Sequence, residues 1–219
     1  MIRLENLTKI YFAEGRRKTV ADRINAVFPS GVSVALLGRN GAGKSSLLRM
    51  IAGTMDPTSG RIVSDGTISW PVGFAGSFHA ELTGAQNVRF IARIYGVDSD
   101  ELIDFVQDFA EIGQHFHLPL RTYSSGMRAR LAFGTSMGVR FDTYLVDEVT
   151  ATGDAAFRKK SAEVFLERLS NAGAVFVSHS MAEVRRLCTM AAVIEDGTLT
   201  MYDDVEAAIA HHDRNMKTG

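Results

Sequence analysis

A chain of 219 residues is long enough for one large α/β domain carrying a smaller subdomain. Its 46% hydrophobic content and mixed charges fit a soluble globular protein, and a net charge of −1 without a strongly basic stretch excludes an electrostatic footprint for nucleic acid. The single cysteine, Cys188, excludes an intrachain disulfide and fits a reducing compartment, and the longest apolar runs fall far short of the roughly 20 residues a membrane helix needs.

In chain order, residues 2–7 (IRLENL) alternate apolar and polar and predict an edge-type strand. No positive stretch followed by an apolar core precedes it, so no signal peptide is expected. The cluster Arg16, Arg17, Lys18 is short and predicts a solvated turn. Residues 22–28 alternate again, and residues 32–37 (VSVALL) form a short apolar run expected as a buried strand. A helix is expected from Ser45 to Ala52, closed by Gly53, and short β runs at 61–72. Between about 85 and 140 apolar residues recur at helical spacing, which predicts a helical block inserted into an α/β chain. Strand and helix then alternate: 143–147, 157–170, 173–178 and 180–188, followed by a hairpin near 190–202 and a short helix near 204–212. The layout predicts a parallel-sheet core with a helical subdomain between its halves.

Between the strand at 32–37 and the helix that follows lies Gly38-Arg39-Asn40-Gly41-Ala42-Gly43-Lys44-Ser45, which fits G-x-x-x-x-G-K-[ST]. Glycines let the backbone fold tightly enough for several N–H groups to face a phosphate, and the helix adds its positive dipole end. Lys44 supplies a point charge for the β and γ phosphates of a nucleotide, and the Ser45 hydroxyl suits Mg²⁺.

Residues Thr143-Tyr144-Leu145-Val146 form an apolar strand ending in Asp147-Glu148. Such a strand delivers Asp147 to the carboxyl edge of the sheet, where ligands bind in open α/β folds. Asp147 is expected to hold Mg²⁺ directly or through water, and Glu148 to polarise an attacking water. His179 ends the next core strand at the same face and is expected to contact the γ-phosphate. His79, His115, His117, His211 and His212 have no such placement, and His115 with His117 lacks a third metal ligand nearby.

A second anion-type site is expected at Ser124-Ser125-Gly126, where serines and a glycine precede a helix. With this segment about 20 residues before the acidic strand, the chain resembles the nucleotide-binding subunit of an ABC transporter over essentially its whole length. The signature resembles LSGGQ, with Ser124 and Gly126 kept, Ser125 for the first glycine and Met127 for the glutamine. The resemblance implies an ABC-type P-loop NTPase, α/β in class, forming a single domain over 1–219. It has a parallel-sheet core, an N-terminal antiparallel β subdomain and the inserted helical signature subdomain at about 85–140. Tyr11 falls where the family places an adenine-stacking aromatic, Ser46 extends the nucleotide loop, and Asp154 is the one residue of 151–154 that matches the family's loop there. His179 matches the family's switch histidine. ISWPVGFAGSFHAELTGAQNVRFIARIYG, TYSSGMRARLAFG and VDEVTATGDAAF are more particularly similar to the ATPase subunits of bacterial capsular-polysaccharide exporters.

The resemblance implies ATP and Mg²⁺ as cofactors and a head-to-tail homodimer with two ATP molecules between the subunits. It also implies an integral membrane permease, periplasmic and outer-membrane export partners, and a peripheral position on the cytoplasmic face of the bacterial inner membrane. The family's usual glutamine near residue 75 is missing from Gly73-Phe74-Ala75-Gly76-Ser77-Phe78-His79, and Ser77, His79 or water are its candidate replacements. Gln86 is expected to begin a helix instead. Phe74, Phe78 and Leu82 fit either a partner contact or local core packing. Alternatives are an O-antigen or teichoic-acid exporter ATPase, another ABC transporter subunit, and a soluble non-transport ABC ATPase. The last fits poorly, since 219 residues hold neither a second cassette nor a long coiled coil.

Overall fold

The computed structural model describes every residue except 14, 148–153 and 218–219. The described residues fall into two compact units, one drawn from 1–71, 141–147 and 171–217, the other from 72–140 and 154–170.

The first unit begins with strands β1 (Ile2–Ala13) and β2 (Arg16–Phe28), followed by β3 (Ser33–Leu37), α1 (Lys44–Ile51), β4 (Ser59–Ser64) and β5 (Ile68–Pro71). Later it takes in β6 (Thr143–Asp147), β7 (Gly173–Val177), α6 (Met181–Leu187), β8 (Met190–Glu195), β9 (Thr198–Tyr202) and α7 (Val205–Lys217). A six-stranded sheet runs β5-β6-β7-β3-β8-β9. All its neighbours are parallel except the β8–β9 hairpin. The inner strands are buried on both faces, as continuous apolar runs such as VALL and GAVFV require.

A separate antiparallel sheet runs β2-β1-β4, the N-terminal β element expected above. The reading of residues 2–7 as an edge strand is corrected here. β1 is the middle strand, paired with β2 on one side and β4 on the other. Alternation reports which face of a strand is buried, and it is silent about hydrogen-bonded neighbours within the sheet. Helix α1 buries Leu47, Leu48, Met50 and Ile51 in one apolar cluster with Ile2, Leu4 and Leu7 of β1 and Leu36, Leu145, Val175 and Ile194 of the larger sheet. That packing fixes where the helix begins, and so where the residues before it can point.

The second unit holds α2 (Gly84–Tyr95), α3 (Ser99–Ala110), two 3₁₀ turns at Gly113–His117 and Leu120–Thr122, α4 (Ser125–Gly138) and α5 (Ala155–Leu169). Thr83 caps α2 in a reciprocal box: its hydroxyl accepts from the Gln86 amide while the Gln86 side chain accepts from the Thr83 amide. Gln86 is thereby used at a helix start, as its position in the sequence predicts. The α3–α4 contact is close because Gly134 and Gly138 lie against Phe109, Leu102 and Phe105. A Cβ on Gly138 would sit 2.3 Å from Leu102. Residues 131–137 of α4 are all buried, and the hydroxyls of Thr135 and Ser136 are satisfied by donating to the Leu131 and Ala132 carbonyls one turn back. Phe109 stacks on Phe105 and Phe133 and meets Phe157 of α5 edge-on, which ties α5 into this unit.

Candidate functional site

The loop 38–43 connects the buried end of β3 to the first turn of α1. Gly43 has φ +114, a conformation an L side chain rarely adopts, and a Cβ there would lie 2.9 Å from the Val20 carbonyl oxygen. Glycine is therefore required by the neighbouring strand β2 as well as by the turn. The first intrahelical bond runs from the Leu47 amide to the Gly43 carbonyl at 2.9 Å, and no side chain caps the helix start. The amides of residues 44–46 precede that bond, so they are donors with no intrahelical acceptor. Lys44 Nζ donates to the carbonyls of Gly38 at 2.6 Å and Arg39 at 3.1 Å, which holds the ammonium against the loop.

Around this loop the first unit forms a cavity of about 670 Å³. Of the residues expected to bind nucleotide or metal, Tyr11, Asn40, Gly41, Gly43, Lys44, Ser45, Ser46, Asp147 and His179 line it. Gly38, Arg39 and Ala42 complete the loop, and the Ala42 amide donates to the Arg39 carbonyl at 3.1 Å. Tyr11 is 36% exposed, and its hydroxyl lies 3.0 Å from Ser46 Oγ and 3.2 Å from Met55 Sδ. Lys9 Nζ stands 5.4 Å from the Tyr11 ring centroid. The tyrosine is thus held at the cavity edge with its ring partly open, as a stacking surface must be. Asp147 ends β6 opposite Val177 of β7, and His179 follows β7, so adjacent parallel strands bring both to the same sheet edge. A Ser45 hydroxyl and an Asp147 carboxylate on one cavity are hard oxygen donors that fit a Mg²⁺ completed by phosphate oxygens and water. Glu148 and residues 149–153 lie outside the described residues.

Ser124, Ser125 and Gly126 belong to the second unit. Ser124 is the N-cap of α4, and its hydroxyl accepts from the Met127 amide at 3.2 Å. Tyr123, just before it, is 4% exposed and packs its hydroxyl against Gly84, and burial pushes its phenol up to about 12. Four residues after Gly126, Arg130 reaches Asp154 at 2.9 Å, and its guanidinium stacks 4.2 Å from the Phe157 ring centroid. Asp154 in turn caps α5 by accepting from the Phe157 amide at 2.9 Å. That bond first, and Arg130 second, hold its carboxyl below the usual carboxylate range. Signature helix and aspartate are thus joined through one arginine, a link the sequence does not display.

In the loop before α2, Phe74 and Leu82 are exposed and Phe78 is half-buried. His79 is engaged locally: its amide donates to Asn87 Oδ1 at 2.7 Å and its Nδ1 accepts from the Glu81 amide at 3.3 Å. His211 of α7 pairs with the Tyr202 hydroxyl at 2.7 Å. His115 and His117 lie in a 3₁₀ turn, and no cluster of three or more metal-ligating side chains occurs among the described residues.

Sequence reasoning missed one feature of the cavity and one residue near it. Arg16, Arg17 and Lys18 are strand residues of β2 that line it, not a solvated turn. Gly15, at φ +73 between two long strands, is the signal that would have placed residue 18 opposite residue 11. His212 of α7, ordinary by its place in the sequence, is the second. Burial first, then the charges of Lys44 and His179, keep its imidazole below the usual histidine range, opposed by Asp213.

Residues 21–151 match the ABC transporter family. The chain is 50% identical over 212 residues to the polysialic acid transport ATP-binding protein KpsT of Escherichia coli, covering 95% of each chain. It is 42% identical over 217 residues to the ATP-binding protein BexA of Haemophilus influenzae, covering 99% of this chain and 100% of that one. Its fold is shared with an ATP-binding cassette solved as a dimer in a post-hydrolysis state with ADP and Pi, at a TM-score of 0.75, 20% identity, and coverage of 92% of this chain and 97% of that one.

Proposed function

The chain belongs to the ABC transporter family as an ATP-binding ATPase subunit, and on that premise we propose that it powers export of capsular polysaccharide across the bacterial inner membrane. The observation that carries the hydrolytic part is the convergence of Lys44, Ser45, Asp147 and His179 on one cavity at the sheet edge. Full-length similarity to proteins named for capsule export supports the cargo. The whole chain 1–219 acts as one ATP-binding domain, with the helical stretch at about 85–140 carrying the signature.

Within the site, the amides of residues 44–46 and Lys44 bind the phosphates, and Tyr11 stacks on the adenine. Ser45 and Asp147 hold the Mg²⁺, which supplies charge neutralisation at the phosphates. Glu148 takes the proton of the attacking water and His179 donates to the γ-phosphate. Ser124 to Gly126 of a second copy close the site from the other side, so two chains work head to tail with two ATP molecules between them. The subunit sits peripherally on the cytoplasmic face of the inner membrane, bound to an integral permease that acts with periplasmic and outer-membrane partners. No helix among the described residues is long and apolar enough to cross a membrane.

The test is genetic and chemical together. Disrupting the gene should leave polysaccharide inside the cell, and wild type, but neither Lys44→Ala nor Glu148→Gln, should restore it to the surface. In the purified chain Lys44→Ala should abolish ATP binding, while Glu148→Gln should keep binding and lose turnover. Normal capsule in the disrupted strain would overturn the cargo, and normal turnover in Glu148→Gln would overturn that residue's role.

A further inference from the structure

Two runs of three consecutive cations occur in the described chain, and they differ. In Arg158-Lys159-Lys160, Lys159 pairs with Glu163, Lys160 with Glu111, and Arg158 also has a partner. In Arg16-Arg17-Lys18, no side chain makes a hydrogen bond or ion pair among the described residues, yet all three line the cavity that holds Lys44. Exposed strand-end cations are ordinarily just solvated. Two geometric facts argue otherwise here.

The first is register. Lys18 stands directly opposite Tyr11 across the β1–β2 pair, and cross-strand partners share a face. Arg16, two residues away, shares that face too. The second is distance. A Cβ placed on Gly41, in the middle of the phosphate loop, would lie 3.5 Å from Lys18 Nζ. The ammonium is therefore held over the loop by strand β2. Lys18 and Lys44 then face one volume in which, among the described lining residues, four cations stand against the single acid Asp147, an excess that becomes favourable once a polyanion lies between them.

We propose that Lys18, supported by Arg16, is a second cationic anchor for the nucleotide, gripping the polyphosphate from the N-terminal sheet while Lys44 grips it from the loop. This rests on the reading of the cavity as the ATP site. An anchor of this kind discriminates by charge: it favours the triphosphate over the diphosphate and ignores the nucleoside. It also makes ATP retention depend on the short N-terminal sheet as well as on the loop. Because Lys18 is exposed, replacing it does not disturb the core.

The experiment measures dissociation constants of ATP, ADP and adenosine for the full chain, at low and physiological salt. The variants are Lys18→Gln, Lys18→Arg, Lys44→Ala and, as a charge-matched control on α5, Lys159→Gln. Lys18→Gln should weaken ATP about tenfold and ADP about threefold at low salt, with the loss shrinking as salt screens the pair. Adenosine should bind unchanged, Lys18→Arg should stay within about twofold of wild type, and Lys159→Gln should have no effect. An ATP constant unchanged within about twofold in Lys18→Gln, with binding abolished in Lys44→Ala, overturns this inference alone. Equal weakening of adenosine overturns it as well, since Lys18 would then act by placing Tyr11. Retained ATP binding in Lys44→Ala overturns the cavity assignment itself.

Discussion

Helices α1 and α4 each begin at a segment that the proposed function sets against a phosphate, and they begin differently. Helix α1 starts at Gly43 with no side-chain cap, its early amides turned toward a cavity lined by cations. Helix α4 starts at Ser124 with a hydroxyl already accepting from the Met127 amide. The open start leaves the amides of residues 45 and 46 without an intrahelical acceptor, so a phosphate placed there gains them as donors. The capped start is satisfied within its own chain and gains less from a phosphate, which suits the proposed role of a surface that closes on ATP and releases it each cycle. A third start, α5, is capped by the Asp154 carboxylate, which Arg130 also holds. It shows the structural extreme, where the cap is charged and occupied by protein on both sides.

Gly43→Ala should have the largest effect and would break the comparison at its open end. The added Cβ meets the Val20 carbonyl at 2.9 Å in a backbone region that costs an L residue about 1–3 kcal/mol. Thermal unfolding should move down, and ATP affinity should fall at least about 100-fold as the loop shifts off the phosphates. Unchanged affinity would mean that the glycine serves the fold and not the ligand.

Ser124 substitutions sharpen the capped end. Ser124→Ala should lower stability by about 1 kcal/mol through loss of the cap, read by denaturant unfolding. Ser124→Asn should recover that stability but not steady-state ATP turnover, because its amide cannot replace a hydroxyl at a phosphate of the second chain. Full turnover in Ser124→Asn would reduce the site to an ordinary helix cap.

The smallest effect should come from Asp154→Asn, which keeps the cap geometry and removes the charge. The Asp154 carboxyl lies below its usual range in the folded chain, so the unfolded chain takes up the proton first as pH falls. Its contribution is complete above the unfolded value, near pH 4, and is lost as pH drops through the lower folded value. Asp154→Asn should therefore melt slightly below wild type at neutral pH, with the gap closing below about pH 4 as wild type loses the charge, measured by melting temperature against pH. Parallel acid profiles would show that Arg130 and the α5 amides draw nothing from the charge.

Much of the first unit was legible in sequence because its chemistry is written in consecutive residues. Gly38 to Ser45 between an apolar run and a helix, and TYLVD ending in Asp147, declare themselves without reference to the rest of the chain. β6 spans Thr143–Asp147, as its pattern predicts, because a strand buried on both faces has to be apolar throughout. The family resemblance rests on those same local motifs, and the match over residues 21–151 bears it out.

What lay beyond the sequence is what depends on neighbours. Alternation at residues 2–7 describes faces, and the middle position of β1 came from hydrogen bonds to residues 24–28 on one side and 61–64 on the other. The same pairing set Lys18 beside Tyr11 and turned a run of cations from apparent solvent exposure into the wall of a cavity. Arg130 reads as one basic residue among several in its helix until packing brings it to Asp154 and Phe157. Local spacing determines which backbone amides can hold a phosphate, because a turn and a helix start are short-range structures. Which charges surround that phosphate is a property of the sheets, because strand pairing and register, set by the Gly15 turn here and by long-range contacts elsewhere, decide what stands across from what.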